Sequence, residues 1–326
     1  MRATRYALLL ASAALTLAAC GGTADRETHR AAATATAPAD AKKAVASSPL
    51  RDGERFLDIA MPKAYTPKAP SAGTDDYRCF LLDPKLTKSA FVTGTDVIPG
   101  RPKLVHHVIL FQLPPDEIAK AKSKDAATPG EGWTCFGGTG ISSDPGAVIE
   151  SAPWLAAWAP GGGEQLLAPD LGVPLKAGSR IVMQVHYNLL AGKGSDTSSA
   201  RLRLAPGTAK LTELHTMLMP APVELPCRPG KTGRLCKRDA AVFDVIGRFG
   251  PEAGPTIAGL QLLCGKDPQH PKASPVQTCD RTIRKPVTVR AIAGHMHLLG
   301  RSISIDLNPG KPGSRRLLDI PVWDFD

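Results

Sequence analysis

The sequence predicts an all-β protein built from antiparallel sandwiches, and three observations carry that prediction. The 31 glycines and 30 prolines punctuate short apolar runs, as strands and tight turns require. Long helical periodicity is scarce. Pro115 to Lys124, with alternating charge and a proline at its start, is the clear helical candidate. Once a leader and a tether are set aside, about 275 residues remain, too many for one small core and suited to two domains. Short strands with turn-rich connections imply an antiparallel sandwich or jelly roll.

The strand candidates are Lys103–Leu113, Arg180–Leu190, Ala200–Leu204, Ala241–Gly247, Thr256–Leu263, Val287–Ala293 and Ser302–Leu307. The weakly structured Pro206–Lys210 is the best boundary, giving an N-terminal domain over 53–205 and a C-terminal domain over 206–326. Residues 1–20 read as a leader: Arg2 and Arg5 precede an apolar run, Tyr6 to Ala19, too short to span a bilayer comfortably. Leu17-Ala18-Ala19-Cys20 resembles a bacterial lipobox, in which the cysteine is lipidated and becomes the mature N-terminus. The plainer alternative is a secretory signal with an incidental Cys20. Gly21 after the cysteine fits outer-membrane rather than inner-membrane retention. Residues 21–52, rich in Ala, Thr and small polar residues, read as a disordered tether that carries a solvated His29.

Beyond Cys20, Cys79, Cys135, Cys227, Cys236, Cys264 and Cys279 remain, an even set that in an exported chain implies disulfides. None forms a CxxC pair, which argues against a cysteine-built zinc site. The preferred pairing is Cys79–Cys135, Cys227–Cys236 and Cys264–Cys279, the last two closing short loops worth about 2–3 kcal/mol each. The net charge of +10 is spread along the chain without a basic run interleaved with aromatics, so nucleic acid is not expected as a partner. Gly230-Lys231-Thr232 resembles the end of a phosphate-binding loop, but Leu225 stands where its first glycine belongs.

Five of the eight histidines fall in apolar, strand-like segments: His106 and His107 in VHHVILF, His186 in MQVHYN, His295 and His297 in AGHMHLLG. A buried imidazole must find a hydrogen bond or a metal, and imidazole suits copper, zinc, iron or nickel rather than magnesium or calcium. On a strand, His295 and His297 leave one face, and His186 shares its face with Val182 and Gln184. Adjacent His106 and His107 point to opposite faces of a regular strand. Joint ligation therefore needs a bulge, a strand end or different ring nitrogens. His215 and His270 lie outside any motif and read as structural or surface residues. Trp158 with Gly161–Gly163 reads as a cleft loop or as glycines permitting positive dihedrals, and Tyr187 as packing.

DDYRCF (Asp75–Phe80), HHVILF (His106–Phe111), WTCFGG (Trp133–Gly138), WAPGGG (Trp158–Gly163), VMQVHYN (Val182–Asn188) and GHMHLLGR (Gly294–Arg301) together resemble the copper type II, ascorbate-dependent monooxygenases, the family of the peptidylglycine alpha-hydroxylating and dopamine beta-monooxygenases. The resemblance covers most of the mature chain. It implies two tandem jelly-roll domains, each with a copper, facing across a cleft. His106, His107 and His186 would hold an electron-transfer copper. His295 and His297 would supply two ligands of an oxygen-activating copper, which the family completes with a methionine well downstream. It further implies dioxygen as co-substrate, ascorbate or another one-electron donor as reductant, and hydroxylation of an aliphatic C–H bond in a small-molecule or peptide substrate.

The sequence departs from the family at that methionine. Of its six methionines, Met296 should point away from the paired histidines, and Met217 and Met219 are expected in the core. The second domain is therefore expected to be incomplete and its copper site to lack a ligand. Two other readings stay open. One is a copper-binding or electron-transfer lipoprotein without oxygenase activity; the other is a zinc hydrolase or hydratase on His106, His107 and His186 with an open water position.

Overall fold

The computed structural model describes residues 47–70, 73–141, 152–251, 253–297 and 299–324. Cys20, His29, the leader and most of the tether lie outside the described residues.

The N-terminal half is a β sandwich, antiparallel throughout except where a short last strand pairs parallel to its neighbour. One sheet has β2 (Asp75–Leu82), β4 (Val105–Leu113) and β9 (Arg180–Asn188) at its centre, with β5 (Trp133–Thr134) and β6 (Trp154–Trp158) at its edges. Its order is β5-β2-β9-β4-β6. The facing sheet contains β1 (Arg55–Ala60), β3 (Ala90–Ile98), β8 (Leu171–Leu175), β10 (Ser199–Pro206) and β11 (Thr212–Glu213) in the order β1-β10-β3-β8-β11, with β7 (Gln165–Leu166) beside β3.

Alternation along the strands explains why these sheets pack. From β9, Ile181, Met183, Val185 and Tyr187 enter the main core with Phe80, Leu82, Val108 and Leu110, and meet Val92, Leu202 and Leu204 of the facing sheet. Each such side chain, fully buried, stabilises the fold by about 1.5–3 kcal/mol. The opposite face of the central sheet is also covered. Cys79, Ile109, Phe111 and Val182 pack there with Trp133, Cys135 and Ala121 of helix α1 (Ile118–Ala127). The sheet carrying the histidine motifs is thus buried on both sides, which is why its strands read as nearly unbroken apolar runs.

The sandwich holds the end of the expected tether. Arg203 of β10, almost wholly buried, pairs with Glu54 at 3.1 Å and Glu164 at 3.0 Å, and donates to the Ser48 and Pro49 carbonyls at 2.6 and 2.7 Å. The disulfides Cys79–Cys135, Cys227–Cys236 and Cys264–Cys279 join the expected partners.

Beyond β11, the strand assignments need correction. Ala241–Gly247 lies inside helix α2 (Arg238–Phe249), and Thr256–Leu263 lies inside α3 (Ala253–Leu263). Read over its full length, α2 has Val242, Val245, Ile246 and Phe249 at helical spacing, Asp239 in its first turn and Arg248 in its last. Val287–Ala293 forms no regular element, and Met217 and Met219 are exposed rather than in the core. Ser302–Leu307 is borne out by β12 (Ile303–Leu307), which pairs antiparallel with β13 (Arg315–Ile320).

Candidate metal centre

Register decides the site. Across the central sheet Tyr77 of β2 stands opposite His186 of β9, and His186 stands opposite His107 of β4. The next row along is Cys79, Gln184 and Ile109, on the face covered by α1 and β5. The histidine row therefore continues a buried apolar face to its end.

His106 joins the row through a bulge. Val105 pairs with Tyr187 and His107 with His186, so His106 is the extra residue of β4. A bulge bends the strand and re-aims the side chains on it. This one lets two consecutive imidazoles meet: His106 Nδ1 and His107 Nδ1 lie 3.3 Å apart, and His186 Nδ1 lies 3.3 Å from the same His107 nitrogen. Of the three routes to joint ligation left open by the sequence, a bulge is present.

The second pair approaches from an irregular segment rather than a strand. His295 Nε2 and His297 Nε2 are 2.9 Å apart, and the His297 ring lies 5.4 Å from that of His186 and 5.7 Å from that of His107. All five rings form one cluster. Ligating atoms lie within 4.8 Å of one another in His106–His107–His186, and likewise in His107–His295–His297, so His107 belongs to both groups.

Two residues given no role at the sequence level hold the cluster. Asp75 Oδ1 accepts a 2.8 Å hydrogen bond from His186 Nε2, and Thr74 Oγ1 donates to the other Asp75 oxygen at 2.7 Å. Tyr77 stacks on His186 with centroids 4.1 Å apart, and its hydroxyl lies 3.2 Å from His297 Nδ1. Phe136 and Phe249 meet the Tyr77 ring edge-on at 5.1 and 5.8 Å, forming an apolar wall. Parity along DDYRC puts Asp75, Tyr77 and Cys79 on one face, but only the β2–β9 register reveals which ring they meet.

Electrostatics favour neutral rings at His107, His295 and His297 and an ionised Asp75. Burial, then the neighbouring rings, hold His107 well below the usual imidazole range, and His297 is pushed down to about 3 by the same causes. His295 is lowered by burial and by His186. Burial raises Asp75, but hydrogen bonds from His186 and Thr74 outweigh it and its pKa falls below the usual carboxylate value. Tyr77 is raised well above the phenol range, by burial and then by the Asp75 charge.

These donors fit a metal ion. One nitrogen carries at most one proton, so His107 Nδ1 cannot satisfy both neighbouring Nδ1 atoms through hydrogen bonds alone. With Nε2 of His186 donating to Asp75, its Nδ1 presents a lone pair toward His107. Converging neutral nitrogens are the donor chemistry of a borderline transition metal.

Met61 Sδ accepts from Ser198 N at 3.2 Å and lies 3.8 Å from Tyr187 Oη, and Met183 is fully buried in the sandwich core. Met296 lies against Gly300, where an added Cβ would sit 3.0 Å from its sulfur. Tyr187 is a packing residue, its hydroxyl donating to Asp196 at 3.1 Å. Trp158 is core, its Nε1 donating to Gly162 O at 2.9 Å, and Gly161 takes φ +86° in the turn beside it. His215 and His270 are exposed and pair with Glu213 and Asp267. No protein-family model and no curated protein matches the chain.

Proposed function

We propose that this chain is a copper-dependent monooxygenase of the exported, lipid-anchored kind, hydroxylating an aliphatic C–H bond with dioxygen and an ascorbate-like reductant. The observation that carries the reading is the convergence of the His106, His107 and His186 Nδ1 atoms from two strands. Those residues would hold the first copper, with His295 and His297 as ligands for a second. Copper bound by imidazoles supplies one-electron chemistry between Cu(II) and Cu(I) and, at an open position, reactivity toward dioxygen. The chain itself contributes neutral donors, a carboxylate that orients His186, and the Phe136–Phe249 wall that limits water on one side.

The methionine positions favour a second reading. Among the described residues, Met61 and Met183 are buried in the sandwich, Met217 and Met219 are exposed and Met296 lies against Gly300, which favours a site without a methionine ligand. That is the pattern expected of a copper-binding or electron-transfer protein. Metal analysis with paramagnetic resonance on copper-loaded protein separates the two. Two inequivalent Cu(II) signals, with substrate-dependent oxygen uptake, support the monooxygenase. One signal without oxygen uptake supports electron transfer, and stoichiometric zinc in place of copper sinks both. His186→Ala should abolish the first signal, and unchanged copper content in that variant would contradict the ligand assignment.

A further inference from the structure

We infer that Asp75 is a positioning residue for the metal centre, fixing His186 with its Nδ1 lone pair turned toward His107 and lending the site a negative charge. The inference rests on the copper reading above and goes beyond its ligand set.

The geometry carries it. An imidazole offers a metal whichever nitrogen lacks the proton, and the partner of the other nitrogen selects the tautomer. Asp75 Oδ1 lies 2.8 Å from His186 Nε2, and a carboxylate there only accepts, so the proton sits on Nε2. His186 Nδ1, at the other side of the ring, faces His107 Nδ1 at 3.3 Å. Asp75 is itself held, its second oxygen accepting from Thr74 Oγ1 at 2.7 Å. Tyr77 stacked at 4.1 Å and within 9° of parallel prevents the His186 ring from rotating away. One ligand is thus constrained at its edge and on its face by residues of a single strand, β2.

Charge gives the arrangement a second effect. The imidazoles bring no charge to the ion. A carboxylate joined to one of them through its ring proton favours the more highly charged oxidised ion over the reduced one, and makes that nitrogen a better donor. Asp75 therefore biases the centre toward Cu(II).

The test uses the full chain loaded with copper alone. Asp75→Asn keeps an oxygen able to accept from Nε2 but removes the charge, while Asp75→Ala removes both. In Asp75→Ala the Cu(II) affinity should fall roughly 10–100-fold, with a smaller fall in Asp75→Asn. In both variants the reduction potential should move positive and the Cu(II) hyperfine splitting should change, with the thermal midpoint of the metal-free Asn variant close to wild type. A folded Asp75→Asn protein with wild-type potential, hyperfine splitting and Cu(II) affinity overturns the positioning role and leaves the copper reading standing. Should Asp75→Ala fail to fold, the Asn variant alone decides. Wild-type protein that takes up no copper overturns both.

Discussion

Small backbone requirements beside the site have effects out of proportion to their size. Gly132 has φ +68°, and a Cβ there would come within 2.2 Å of the Cys79 carbonyl oxygen. It precedes Trp133, whose fully buried indole donates to Thr139 O at 2.8 Å. Gly132→Ala should therefore cost about 2–4 kcal/mol, through backbone strain and displacement of β2. Urea denaturation reads this directly, and an unshifted midpoint would mean that the turn relaxes freely. At this scale the histidines were legible, because imidazoles in apolar strands stand out from their surroundings. Asp75 and Tyr77 were not. Acidic and aromatic residues are ordinary in a strand, and their meaning comes from the ring across the ladder.

Among elements, β4 is the informative one. Its two adjacent histidines left a bulge, a strand end or different ring nitrogens as routes to joint ligation, and the bulge at His106 is the one present. Deleting His106 should leave Val105 and His107 as consecutive partners of Tyr187 and His186, and so restore a regular ladder. The deletion variant is expected to fold within about 1 kcal/mol of wild type, yet to lose the first copper. Strong destabilisation on calorimetry, or full copper retention, would count against this account. The helices α2 and α3 were misread for a related reason. An apolar window of seven or eight residues cannot separate a strand from part of a helix, and only the full length of α2, with Phe249, carries the spacing of Val242, Val245 and Ile246 into a second turn.

Over the whole molecule, buried titratable groups predict acid lability in two windows. Folding lowers the pKa of His107, His295 and His297, so the unfolded chain binds more protons as pH falls. Their contribution is complete above the ordinary imidazole value of 6.5 and declines below it, down to about 3 for His297. Glu54 and Glu164 add a second loss. Burial opposes their ionisation, but hydrogen bonds, including those from Arg203, outweigh it and hold both below 4.5. Urea midpoints of metal-free protein should therefore fall in the first window and more steeply in the second. Bound copper should steepen the first, since ligating nitrogens in the folded protein cannot take up the protons that the unfolded chain binds. A midpoint constant through the first window in metal-free protein would refute the imidazole part. The packing of residues 207–324 was the least legible level: α2 and the His295–His297 segment reach the site through long-range contacts with Tyr77, which no local pattern encodes.

The Cys79–Cys135 bridge couples the redox state of two sulfurs to the packing around Tyr77. It ties β2, two residues from Tyr77, to the segment after β5 that carries Phe136, and Cys135 N donates to the Tyr77 carbonyl at 3.1 Å. With both cysteines reduced, Phe136 would be fastened beside Tyr77 only by that hydrogen bond and by ring packing. An ion of the kind proposed would then meet its best-ordered imidazoles only after the two sulfurs have joined.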